Sequence, residues 1–392
     1  PFFSRSTLEY ELPDFASIKE EHYLEAFYEG TKQQIAEVDA IIAAGEPTFE
    51  NTIVALEKSG QVLNRMLLVF YNKSSSDTND NLDSIEEEIA PKLSAHQDAI
   101  QLNPALFSRI KSLHEKKTSL NLNSEDAWLL EKYYRDFVYA GAHLSDSQRQ
   151  ELTKLNERLS YLETQFSKNL LADTNDSALI VDDVKELAGL SDSEIQAAAD
   201  AAKVRGLAGK YLLAMVNFTG NPMLESLEVR STREAIMKAS LLRGNRDNEH
   251  DTKKIIVEMA ELRAKRAKLF GKKTHADYII AEQTAGSVDN VDAMLRKIAP
   301  AAVRNARAEG SDIQAMIKDS GEDFELASWD WDFYTEKVRK AKHNIDSSAM
   351  KPYFELERVL KDGVFYAANK LFGISFKERP DLVTYHPEAR AF

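Results

Sequence analysis

The stretch SDSQRQELTKLNERLSYLETQFSKNLL, Ser145 to Leu171, decides the fold class. Leu152, Leu155, Leu159, Leu162, Phe166 and Leu170 recur in steps of three and four, which lines them up on one face of an α-helix. The steps approach a heptad, so this helix is expected to pack nearly parallel to long neighbours. Ser145 and Gln148 have the spacing of a capping box, in which each side chain satisfies the other residue's free backbone N–H.

Upstream, the same period repeats. Ser17 is placed to cap a helix carrying Tyr23, Phe27, Ile35, Val38 and Ile42, broken near Gly45 to Pro47. PTFENTIVALEKSGQVLNRMLLVFYNKSSSDTND, Pro47 to Asp80, predicts two helices with Ile53, Leu56, Val62, Met66, Val69 and Phe70 inward. Helices follow around Ile85 to Ile89, Leu106 to Leu113 and Ala127 to Ala140.

Downstream the character changes at Ser177. ALIVDD and YLLAMVNF (Tyr211 to Phe218) predict short buried strands flanking a helix that Ser191 and Glu194 cap, with a turn over Asn217 to Pro222. Ser231 and Glu234 suggest a third capping box, Asp251 to Phe270 a helix stopped by Gly271, and Ser287 to Ile317 a long helix kinked at Pro300. In SWDWDFYTEKVRKAKHNIDSSAMKPYFELERVLKDGVFYAANKLFGISF, Ser328 to Phe376, Asp330 reads as an N-cap before Trp331, Tyr334, Val338 and Ala341. Pro352 opens a further helix whose Leu356, Leu360, Val364, Ala368 and Leu371 form a buried stripe ended by Gly373, and Ile374 to Phe376 a short strand. Another extended run, LVTYHPEARAF, then leaves this apolar surface unclosed, as if a domain were interrupted. The expected fold is mainly α, a large multi-helix array with a small mixed α/β insertion. Its segments are a helical domain over 1–178, the insertion over 179–225 and a second helical region over 226–392.

Composition narrows the function classes. The 392 residues carry a net charge of −14, which argues against nucleic acid or an anionic membrane as the main partner. With no cysteine there are no disulfides, thiolate metal sites or cysteine nucleophiles. No apolar run is long enough to span a membrane, and no signal peptide is visible in a chain that opens on Pro1. A cytoplasmic location is the first reading, with a periplasmic one after removal of a leader as its alternative.

Chemistry-bearing motifs are scarce. His22, His96, His114, His143, His250, His275, His343 and His386 are never closer than 18 residues. A helical zinc site needs two imidazoles four residues apart on one face, and after His114-Glu115 the second position is Thr118. Each histidine therefore reads as structural or solvated. The glycines at Gly206 and Gly271 lack phosphate-loop spacing and read as a turn and a helix end, and there is no G-x-S-x-G elbow. The basic runs RAKRAKLFGKK from Arg263 and EKVRKAKH from Glu336 read first as charged outer faces. The sharper alternative is that one of them faces a peptide carboxylate. Trp329, Trp331, Phe333 and Tyr334 read as core before they read as a binding wall.

Longer blocks carry a resemblance. PTFENTIVALEKSG (Pro47 to Gly60), EIAPKLSAHQD (Glu88 to Asp98), NLLADTND (Asn169 to Asp176), WDWDFYTEKVRKAK (Trp329 to Lys342), KPYFELERVLKDGVFYAANKLFGISFKER (Lys351 to Arg379) and YHPEARAF (Tyr385 to Phe392) resemble the thimet-oligopeptidase family of zinc metallopeptidases. Within it they are most similar to the branch that removes dipeptides from free C-termini. The resemblance implies a largely helical body forming one side of a deep channel for short peptides, one zinc ion and a monomer. In that family, two histidines of a His-Glu-Phe-Gly-His helix and a downstream glutamate hold the zinc, and the motif glutamate is the general base. All of these follow the Tyr-His-Pro-x-x-Arg-x-Phe block, at which this chain ends. No catalytic or metal residue is therefore assigned on residues 1–392, substrate-binding residues stay unassigned, and the chain alone is expected to be inactive. Its implied partners are short peptides with a free C-terminus and a C-terminal catalytic half. The alternative is a non-enzymatic helical peptide-binding or scaffold protein.

Overall fold

The computed structural model describes residues 1–216, 221–344 and 347–392. The chain forms two compact units, one of 1–166, 257–278 and 377–392, the other of 167–256 and 279–376. Both are mainly α-helical.

In the first unit, α1 (Glu21–Ala43), α2 (Gln61–Ser76) and α3 (Asp80–Gln101) enclose a core of Tyr23, Phe27, Met66, Phe70, Leu82 and Ile89. α1 and α2 touch at Gly30, where a Cβ would lie 2.8 Å from the Leu63 backbone nitrogen, so only glycine permits the approach. Leu63, not Val62, faces inward here. A second cluster, including Ile53, Leu106, Ile110 and Leu130, joins α1 to α4 (Pro104–Glu115) and α5 (Ser124–Ala140). Asn79, Asn103 and Asn123 cap α3, α4 and α5 through their side-chain oxygens. Ser17 is not a cap: α1 begins at Glu21, and the Ser17 hydroxyl donates to the Asp14 carbonyl.

The Ser145–Gln148 capping box forms as predicted and opens α6 (Asp146–Asp176). Leu152, Leu155, Leu159 and Leu162 are buried on its inner face, while Phe166 and Leu170 are half-buried. Both ends of the chain contribute to this unit. Arg379 donates to Glu9, Lys73 donates to the Tyr385 carbonyl oxygen at 3.0 Å, and the Tyr385 ring meets Phe15 edge-on.

In the second unit, β1 (Leu179–Val181) pairs antiparallel with β2 (Tyr211–Leu213), in the register Leu179 to Leu213. Between them lies α7 (Asp192–Val204), capped by Ser191 and Glu194. The predicted continuation of the second strand to Phe218, and the turn from Asn217, fall on residues 217–220, outside the described residues. Ser231 is no cap, because α8 (Arg230–Leu241) starts one residue earlier and Ser231 sits inside it. α9 (Lys253–Leu269) leads from this unit into the first and ends before Gly271, whose φ is +67°. α10 (Val288–Asp319), capped by Ser287, continues unbroken through Pro300.

Asp330 corrects the sequence reading most. It precedes α11 (Trp331–His343) but makes no cap. Fully buried, it accepts hydrogen bonds from Arg230, from Arg233 at 3.0 Å and from the Ala327 backbone N–H. Burial alone would raise its pKa; the two guanidinium groups outweigh that and hold it below the ordinary carboxylate value. The helix buries Phe333 and Tyr334 against Ile313 and Ile317, with Ala341 exposed.

The stripe from Leu356 to Leu371 is helical but not buried. Leu356 is 71% and Leu371 75% exposed, and Tyr353, Phe354, Val364, Tyr366, Phe372 and Phe376 are exposed with them. Periodicity specifies one apolar face without specifying a cover for it. Ile374 to Phe376, after the αL cap at Gly373, has no strand partner among the described residues.

Candidate functional site

The first unit holds a polar pocket of about 370 Å³, in the size range of small-molecule sites. α3 brings Ser94, Gln97, Asp98 and Gln101 to it, α6 brings Asn156 and Glu163, α9 brings Arg266, and Tyr71 of α2, Ala140 of α5 and Tyr278 line it as well. Leu152 and Leu159, inward residues of the α6 stripe, supply apolar wall.

Asp98 is 7% exposed, and both its oxygens accept from Asn156 Nδ2, at 3.0 and 3.2 Å. Burial pushes its pKa up to about 6. Hydrogen bonds from Asn156 and Thr153 and the charge of Arg266 offset only part of that. Asn156 in turn accepts from Arg266 Nη1 at 3.3 Å, and the Arg266 guanidinium lies over the Tyr278 ring, 5.5 Å from its centroid. The Tyr278 hydroxyl donates to the Tyr139 carbonyl. On the same side Arg263 pairs with Glu163 at 2.9 Å. His275 stands nearby, its pKa lowered by burial first and then by the charges of Arg266 and Arg263. The Nε atoms of Arg263 and Arg266 and the Nδ1 of His275 are buried without a hydrogen-bond partner. A carboxyl, an amide and a guanidinium thus face one space. They can bind and orient a polar ligand.

The histidines do not converge. His96 lies 2.7 Å from the Gln34 amide oxygen, and burial depresses its pKa. His114 bonds Glu131 at 2.9 Å and stacks on Tyr134. His22 and His386 accept from the backbone N–H groups of Lys19 and Glu388, His143 meets the Phe270 ring, and His250 lies 3.5 Å from Asp176. His343 closes α11. Among the described residues, no three side chains of His, Cys, Asp or Glu stand where they could share a metal ion. The residues present therefore do not fit a zinc site, and no catalytic step through a metal is derived on them.

Of the two basic runs, the one from Arg263 reaches the pocket. The other is an outer face, where Lys337 lies over Phe333 and Tyr334 and Lys342 pairs with Asp312. The aromatic residues Trp329, Trp331, Phe333 and Tyr334 belong to the second unit's packing, with Arg230 and Arg233 over Trp329 and Phe333. Sequence reasoning missed Asp98, Asn156 and Tyr278 as site residues. Asp98 ends the quoted block Glu88 to Asp98, which was the one available signal.

The profile of Peptidase family M3 matches residues 223–392. The M3 match is extended by relatives over the whole chain. Dipeptidyl carboxypeptidase of Escherichia coli K12 is 40% identical over 100% of this chain, and that of Salmonella typhimurium 38%. Oligopeptidase A of Escherichia coli K12 is 27% identical over 98% of the chain. The chain spans 58% of the length of both dipeptidyl carboxypeptidases and 57% of that oligopeptidase A. No helix among the described residues is long and apolar enough to cross a membrane.

Proposed function

We propose that this chain is part of a zinc metallopeptidase that releases dipeptides from the free C-termini of short peptides. The observation that carries the reading is its 40% identity, over its whole length, with a dipeptidyl carboxypeptidase, against 27% with an oligopeptidase A. In this reading residues 1–178 form a helical wall of the peptide channel, 179–225 an insertion in it, and 226–392 the approach to the catalytic domain. The zinc ligands and the general base lie in a further C-terminal region, so residues 1–392 hold no catalytic or metal residue and are inactive alone. The complete enzyme works as a cytoplasmic monomer. The unclosed apolar face from Tyr353 to Phe376 supports this division, since an apolar patch of that extent calls for a covering surface.

The test uses two proteins, residues 1–392 and a chain of the relatives' full length. Each is assayed for bound zinc and, by mass spectrometry, for products from an N-blocked tetrapeptide with a free C-terminus. The expected result is zinc and a released C-terminal dipeptide for the long chain only. Dipeptide release by residues 1–392, or internal cleavage alone by the long chain, would overturn the reading.

A further inference from the structure

Arg266 is the anomaly of the first-unit pocket. Arg263, one turn earlier on α9, pairs with Glu163, yet no carboxylate among the described residues lies within ion-pair distance of Arg266. Its one hydrogen bond is the 3.3 Å contact to Asn156, and its Nε is buried with no acceptor. A buried donor left without an acceptor is unfavourable, because it has given up its hydrogen bond to water for nothing. The Tyr278 ring beneath the guanidinium fixes its plane, so the donor fork is pre-organised.

We propose that this pocket binds a small monocarboxylate, with Arg266 gripping the carboxylate and Asp98 and Asn156 flanking it. A planar carboxylate matches the two-pronged edge that the terminal nitrogens of a guanidinium present. One positive group favours a monoanion, because Asp98 and Glu163 on the same wall disfavour a second negative charge. Asp98, protonated below about pH 6, can donate to the bound carboxylate; once ionised it repels it. The charged and titratable groups facing this position are Tyr71 from α2, Asp98 from α3, Glu163 from α6, Arg263 and Arg266 from α9, and His275 and Tyr278 beyond it. Ser94, Gln97 and Gln101 offer amide and hydroxyl partners to the remainder of the ligand.

The probe is N-acetylglycine, titrated by calorimetry into the 392-residue protein at about pH 5 and about pH 8, either side of the Asp98 midpoint. N-acetylglycinamide and inorganic phosphate serve as comparison ligands. Binding of N-acetylglycine is expected, tighter at the lower pH, weakened about tenfold or more by Arg266→Gln and unchanged by Arg339→Gln on the other basic run. Arg266→Lys keeps the charge without the fork and should recover only part of the affinity. Circular dichroism shows whether each variant is folded, and Arg266→Lys serves as the decisive variant if Arg266→Gln is not. No binding at millimolar N-acetylglycine would overturn the assignment. So would equal binding of the amide or of phosphate, or affinity indifferent to both Arg266 variants. Binding is read without turnover, so a negative result leaves the peptidase reading standing.

Discussion

Asp98→Asn should make the protein more stable at neutral pH, by an amount that depends on pH in a defined way. In the unfolded chain this carboxyl ionises near 3.8, whereas in the folded protein burial delays ionisation to about 6. Between those values the unfolded state has released a proton that the folded state keeps, so stability falls as pH rises and levels off above about 6. The difference corresponds to about 3 kcal/mol at most, at about 1.4 kcal/mol per pH unit. Asparagine has the same shape and carries no charge to desolvate. Its oxygen can accept from Asn156 Nδ2. For a unit of this size the gain is roughly 5–10 °C in melting temperature at about pH 8, fading to nothing near pH 4. Paired thermal melts of the two proteins across that range measure it, with circular dichroism as the signal. A variant no more stable than the parent at about pH 8 would refute the reasoning. So would a gain that persisted undiminished at about pH 4.

Three further outcomes test the packing. Gly30→Ala should cost about 1–3 kcal/mol in urea unfolding, because its Cβ would press on the Leu63 backbone, which cannot turn aside as a side chain could. Asp330→Ala should cost about 3–5 kcal/mol by leaving Arg233, 1% exposed, charged and unpaired. The native Asp330 contribution is present above the ordinary carboxylate range and is lost as pH falls through its depressed midpoint, which acid unfolding of the two proteins compares. Leu371→Asp should leave stability within about 0.5 kcal/mol, since the side chain is 75% exposed. It should also lower the binding of a hydrophobic dye to the chain.

Local signals in the sequence proved reliable where the partners are local. The boxes at Ser145 and Ser191 formed because both members lie within one turn of each other. The α6 stripe was legible because helix period alone selects its face. At Asp330 the local reading lost to partners about a hundred residues away, Arg230 and Arg233, which no window over Ser328 to Lys342 contains. Ser231 failed for a smaller reason: a one-residue change of helix start moves a capping serine into the interior. The stripe from Leu356 to Leu371 was identified as a face but not as an uncovered one, because amphipathicity is a property of the segment and burial a property of its surroundings. The pocket was invisible for the Asp330 reason, multiplied. Asp98, Asn156, Arg266 and Tyr278 come from four segments, and although three of these lie in stretches that attracted notice, nothing local says that they meet.

The first unit's use of Lys377–Phe392 bears on the order of events at the ribosome. Helices α1 to α5 can assemble as they emerge, since their contacts are close in sequence. The clasp of Arg379 on Glu9 and of Tyr385 against Phe15 must wait until some 370 more residues have been made. Throughout that interval the surface around Phe15 and Lys73 is open to other chains. Residues 377–392 therefore act as a late fastening, and the time to reach it is set by translation and not by helix formation.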